Sequence, residues 1–156
     1  MTKLVKMEFI KIPNVRVIGR EVTHEGKENP VPALWEQMFN DGTIDMLKKL
    51  PRAILDCTIG WMGDAKSGTF KYIAGVIAVE NTPVPEKMQY RDLLACDIAK
   101  GYVNGYINAH NLTVEGILAN NFKPDYSFGW SAEVYPDDLN FEDEEGIINY
   151  FCPYKK

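Results

Sequence analysis

Strand-like and helix-like patterns follow one another along this chain in an order that occurs twice. β-Branched residues crowd Lys6 to Ile12 and Val15 to Thr23, and Pro13, which cannot donate to a ladder, separates two strands there. Leu34, Trp35, Met38 and Phe39 then share one face at helical spacing, which reads as a helix packing on a sheet. Asn29 is placed to cap this helix, Pro30 suits its first position, and Asp41-Gly42 ends it. Thr43 opens a second helical piece that runs through Leu50 and stops at Pro51. Ala53 to Met62 and Thr69 to Glu80 read as a hairpin around the Gly- and Asp-containing segment 63–68.

Asn81 to Glu86, with its two prolines, is the internal linker. After it come a strand near Leu93 to Val103, a helix from about Tyr106 to Asn121, a strand from Ser127 to Tyr135, a polar loop, and a strand from Gly146 to Tyr154. The halves also share local text: Ile59-Gly60-Trp61 answers Phe128-Gly129-Trp130, and Glu25-Gly26 answers Asn104-Gly105 before each helix. Together these predict an α+β fold made of duplicated βαββ units, about 1–80 and 88–156. Either unit alone would leave a sheet edge and a helix face uncovered.

Strand parity then singles out one carboxylate. In Trp130 to Tyr135 the residues Trp130, Ala132 and Val134 share one face, and Ser131, Glu133 and Tyr135 share the other. In the matching strand of the first half, Leu55, Cys57, Ile59 and Trp61 form the apolar row, and Asp56, Thr58, Gly60 and Met62 the mixed one. Helices are expected over the apolar rows. The mixed rows face either water or a cleft between the units. Neighbouring strands favour the cleft, because Tyr72 to Val79 and Ile147 to Tyr154 hold little that seeks water. A face bearing Glu133, Tyr135, Tyr150, Tyr72 and Met62 would be an aromatic-walled groove around a single acid. Such a groove attracts flat rings and cations.

Composition narrows the partners. With 156 residues the chain is long enough to bury a core without staples, and 17 basic against 22 acidic side chains give a net charge of −5 that repels phosphate backbones. Cysteines 57, 96 and 152 are odd in number, widely spaced and set in apolar stretches, so reduced core thiols are expected. With no apolar run of membrane-spanning length and no leader pattern, a cytoplasmic protein is the expectation, without membrane or direct nucleic-acid partners. His24 and His110 have no acid at metal-ligand spacing, so neither a metal nor a cofactor is expected. Asp137, Asp138, Glu142, Asp143, Glu144 and Glu145 lack the alternating ligands of a calcium loop and read as a solvated loop. Trp35, Met38 and Phe39 read as helix-to-sheet core.

Three stretches of text carry a resemblance. Val31-Pro32-Ala33-Leu34-Trp35 opens the first helix, Phe70-Lys71-Tyr72-Ile73-Ala74-Gly75-Val76 closes the first half, and Glu133-Val134-Tyr135 lies on the third strand of the second. In their order and spacing these resemble the GyrI-like small-molecule-binding domains, whose fold is shared with effector-binding modules of multidrug-responsive transcription regulators. The segment Leu94-Ala95-Cys96-Asp97-Ile98 departs from the family's aromatic or proline-rich strand start.

The resemblance implies a curved antiparallel sheet with helices on its convex side and a ligand groove on its concave side, where Glu133 faces cationic or aromatic compounds. Some stand-alone members resemble hydrolases of cyclopropane-bearing alkylators. By that likeness Glu133 would activate water, while Tyr135 or Tyr72 would hydrogen-bond the carbonyl oxygen that gains charge. Tyr150 and Met62 would line the groove. Trp61 or Trp130 would stack on the substrate, although strand parity assigns both to core packing. The other class open to such a chain is a non-catalytic binder that sequesters drugs or modulates a transcription regulator or gyrase.

Overall fold

A computed structural model describes residues 2–138 and 146–156. The acidic residues Glu142, Asp143, Glu144 and Glu145 therefore lie outside the described residues. Strands β1 (Leu4–Ile12) and β2 (Val15–His24) lead into helices α1 (Val31–Asn40) and α2 (Thr43–Leu47), followed by β3 (Cys57–Lys66) and β4 (Thr69–Val79). The second half holds β5 (Gln89–Leu93), β6 (Cys96–Val103), α3 (Ala109–Ala119), the two-residue β7 (Lys123–Pro124), β8 (Trp130–Pro136) and β9 (Ile148–Lys155). One 3-10 turn, Tyr126–Phe128, precedes β8.

The strands form a curved antiparallel sheet in the order β1-β6-β9-β8-β3-β4-β2-β5, and β7 adds a short pairing to β9. Read from its centre, this order is mirrored. β3 and β8 pair in the middle, β4 with β2 lies on one side, and β9 with β6 lies on the other. The first strand of each half crosses over: β1 pairs with β6 and β5 with β2. The expected strand from Leu93 to Val103 is β6, which begins at Cys96; Leu93 instead ends β5, which pairs with β2 toward the other end of the sheet, and Leu94-Ala95 separates the two. An apolar run can be read as continuous, but a chain crossing between sheet ends cannot keep pairing.

Local chemistry explains the helix starts. Asn29 Oδ1 accepts the Val31 N–H at 3.1 Å, so α1 begins one residue later than expected, with Pro30 at the cap. Gly42 enters α2 at φ 82°, a conformation that glycine adopts without strain. Asp41 Oδ1 takes the Thr43 N–H and hydroxyl, and these bonds, joined by the Arg20 ion pair, hold the Asp41 carboxyl down at about 2. α2 stops at Leu47 rather than Leu50. β3 begins later than expected, at Cys57, and runs on to Lys66, so most of the expected 63–68 loop is strand. The β3–β4 hairpin closes tightly at Ser67-Gly68, both at positive φ (52° and 83°), as a twisted two-residue turn requires.

The sheet's two faces carry different cores. On one face Leu34, Met38, Ile44 and Leu47 of α1 and α2 pack on Ile18, Tyr72, Ala74, Val76 and Ala78. On the same face α3 packs on Ala99, Val103, Ile148 and Tyr150. The opposite core joins Ile12, Val15, Val17, Ile59, Trp61, Ile73, Leu93, Ile98, Val134 and Phe151, all from strands, because the sheet curls onto itself. This corrects the expected placement of helices over the Ile59–Trp61 row and away from the groove. The helices lie on the face of Glu133, α1 and α2 on one side and α3 on the other. An apolar row can be buried by sheet curvature as well as by a helix, and parity alone does not distinguish the two. Among the described residues no helix is long and apolar enough to cross a membrane.

Candidate functional site

Between the helices the central strands expose their mixed rows. β8 presents Ser131, Glu133 and Tyr135 there, and β3 presents Thr58, Gly60 and Met62. Tyr72 begins on β4, one strand farther from Glu133, so its ring must cross β3 to arrive. Gly60 allows this. It pairs with both Ala74 and Glu133, and a Cβ on it would stand 1.9 Å from the Tyr72 hydroxyl.

Two phenols converge on the acid. The Tyr135 hydroxyl donates to Glu133 Oε2 at 2.8 Å, and the Tyr72 hydroxyl donates to the same oxygen at 3.2 Å. Trp35 on α1 donates its indole N–H to the Tyr72 oxygen at 2.9 Å. Indole only donates, so Tyr72 accepts from Trp35 and directs its own proton at Glu133. Trp35 also meets the Tyr135 ring edge-on, with centroids 5.9 Å apart.

Burial raises the Glu133 pKa above 4.5, while the two phenols pull it down. Burial likewise pushes both tyrosines far above their ordinary range, so each stays a neutral donor. Among the described residues no Lys, Arg or His forms an ion pair with Glu133. Nor do three His, Cys, Asp or Glu side chains gather there or elsewhere as a metal site.

A cavity of about 360 Å³ opens over the acid, with Trp35, Met62, Phe70, Tyr72, Tyr106 and Tyr135 among its walls. His24, stacked on Phe70 with ring centroids 4.7 Å apart, also borders it. Past Trp35 and Tyr135 the groove continues into a smaller cavity of about 250 Å³, edged by Phe39 and Thr58.

The structure thus brings Glu133, Tyr135, Tyr72 and Met62 together. Tyr150 lies on the same face but deeper, its hydroxyl turned to Ser131 and His110. Trp61 is corrected: at 3% exposure it is packed in the opposite core with the Arg91 guanidinium 5.2 Å from its ring centre, so it cannot stack on a groove ligand. Its buried indole nitrogen has no partner among the described residues. Trp130 packs partly against that core, and at the start of β8 it also borders a neighbouring cavity.

Trp35 and Phe39 also change role. Only Met38 of the expected trio is core, whereas Phe39 is 56% exposed and Trp35 lines the groove. Helical spacing placed all three on one stripe, and stripe membership does not say which residues sit at its margin. His110 carried no sequence signal for its bond to Tyr150.

The fold recurs in solved structures. One is SAV2435 bound to tetraphenylphosphonium, at 15% identity over 97% of this chain and 94% of that one, with a TM-score of 0.78. A second is the EcmrR C-terminal domain, at 11% identity over 97% and 98%, with a TM-score of 0.62. A third is a hydrolase from Listeria innocua, at 12% identity over 98% and 93%, with a TM-score of 0.51. No family model and no curated protein matches the chain. At these identities the likeness speaks for the fold alone.

Proposed function

We propose that the groove binds flat aromatic and cationic small molecules, with the Glu133 carboxylate as their counter-charge. The observation that carries this reading is a half-buried carboxylate ringed by aromatic side chains and fixed by two phenols, with no cationic side chain paired to it among the described residues. Leaving such a charge uncompensated costs several kcal/mol, and a ligand cation would supply the missing partner. Aromatic walls add roughly 0.5 to 2 kcal/mol for each cation–ring contact. The similarity to a protein solved with tetraphenylphosphonium supports the same ligand class.

The test is calorimetric titration with tetraphenylphosphonium at pH 7. Saturable binding weakened at least about tenfold in Glu133→Gln is expected. Equal affinity in the variant would contradict the assignment. As a binder the protein would sequester such compounds or report them to a protein partner. Its three free cysteines fit a reducing compartment, so we place this activity in the cytoplasm.

A second reading, hydrolysis of cyclopropane-bearing xenobiotics, is favoured by the raised proton affinity of Glu133 and by the likeness to a hydrolase. Glu133 would take a proton from water as its oxygen attacks a ring carbon. The ring C–C bond breaks, and its electron pair passes to a conjugated carbonyl oxygen. That oxygen would have to displace Tyr72 or Tyr135 from Glu133 to gain a donor. Mass spectrometry of a spirocyclopropane aromatic distinguishes the readings. Gain of one water over many equivalents supports an enzyme dependent on Glu133, and an unchanged compound leaves the binder.

A further inference from the structure

Beyond Met62 and Phe70 the groove opens into a further cavity of about 380 Å³, bordered by His110, Trp130, Ser131 and Cys152. Ser131 stands two residues before Glu133 on the same face of β8, so about 6.8 Å of strand rise separates them. One para-substituted benzene ring covers that span.

Behind Ser131 runs a chain of three groups. Ser131 Oγ lies 2.8 Å from the Tyr150 hydroxyl, which lies 3.1 Å from His110 Nδ1. Tyr150 is 4% exposed, and its ring meets the His110 ring edge-on at 5.5 Å. Burial lowers the His110 pKa, so its imidazole is neutral at pH 7 and free to take either tautomer. With the proton on Nε2, Nδ1 accepts from Tyr150, Tyr150 accepts from Ser131, and the Ser131 oxygen is left as an acceptor. With the proton on Nδ1 every bond reverses, and the Ser131 hydroxyl becomes a donor.

We propose that this cavity is a second subsite, where Ser131 hydrogen-bonds a neutral polar group such as a phenol, alcohol, amide or ketone, accepting or donating as His110 changes tautomer. Two of the other polar borders already hold hydrogen bonds. Asp125 Oδ1 is taken by the Ser127 N–H at 3.0 Å and by the Ser127 hydroxyl at 2.5 Å, and the Cys152 thiol points to the Pro153 carbonyl. Only the spacing to a bound cation rests on the function proposed above; the chemistry of the subsite does not.

The test uses protein labelled with 15N in histidine, with His110 assigned through a His24→Gln variant, titrated with neutral fragments. p-Cresol donates to Ser131 and is expected to drive His110 toward the Nε2–H tautomer. Acetophenone accepts from Ser131 and is expected to drive it toward Nδ1–H. The ring nitrogens should shift in opposite senses for the two fragments, and Ser131→Ala should lose both responses. Unmoved nitrogens, shifts in one common sense, or a Ser131→Ala response like that of the unaltered protein would overturn the proposal. Tetraphenylphosphonium titrated in parallel separates the two ideas. Opposite shifts without cation binding would sink the cation reading alone, and cation binding without shifts would sink the subsite alone.

Discussion

Tyr72 and Tyr150 occupy matching strands, β4 and β9, of the mirrored sheet, and each hydroxyl meets a ring nitrogen from the helix on its own side. Trp35 of α1 serves Tyr72, and His110 of α3 serves Tyr150. The difference lies in the ring. An indole N–H only donates, so Tyr72 has a fixed polarity and aims its proton at a carboxylate. A neutral imidazole accepts or donates, so Tyr150 has no fixed polarity and meets a serine hydroxyl that is equally free. On the readings proposed above, one framework holds two chemistries: a committed site for positive charge around Glu133, and an adaptable site for neutral groups around Ser131. Breaking the symmetry took two side chains on the helices and two on β8.

The largest expected effect comes from removing the charge that separates the two sides. Glu133→Gln should weaken tetraphenylphosphonium binding at least about tenfold without lowering thermal stability. The sign follows from burial. The folded protein holds the Glu133 proton more tightly than the unfolded chain does, so ionisation costs stability as pH rises from about 4.5 through the raised pKa. Gln escapes that cost. A melting temperature several degrees below that of the unaltered protein would contradict the burial account.

Gly60→Ala should act next. Its Cβ would overlap the Tyr72 hydroxyl, so either the ring or β3 must move, at about 1–3 kcal/mol, read by urea unfolding. Cation affinity should fall with it. A smaller effect is expected from Trp35→Phe, which frees Tyr72 to point its proton elsewhere at a loss of about 1 kcal/mol in cation binding. Replacing His110 by Phe should leave that affinity within about twofold, because α3 does not reach the acid. Equal losses from the two ring substitutions would erase the contrast. Smallest of all is Trp61→Phe, which lies in the opposite core and should not alter affinity measurably.

Period-two alternation in β8 and β3 was enough to put Glu133, Tyr135 and Met62 on one face and Trp61 on the other, because a strand leaves each side chain only two choices. The α+β character with a curved antiparallel sheet was also legible, through the repeated succession of strands and helices. Three things were not. The helices' side of the sheet depends on how the sheet curls, and Ile59, Trp61 and Val134 look the same whether a helix or another strand covers them. Trp35 reads as core because helical spacing cannot tell the middle of a stripe from its margin. The exchange of β1 and β5 between the halves is a long-range pairing, and neither segment differs in composition from a strand that pairs with its neighbour.

The most direct measurement is the affinity for tetraphenylphosphonium as a function of pH, in the unaltered protein and in Glu133→Gln. Binding should be strong at pH 7 and fall as acidification protonates Glu133 through a pKa above 4.5, while the variant binds weakly at every pH. Affinity that stays level across that range in the unaltered protein, or falls equally in the variant, would contradict Glu133 as the counter-charge.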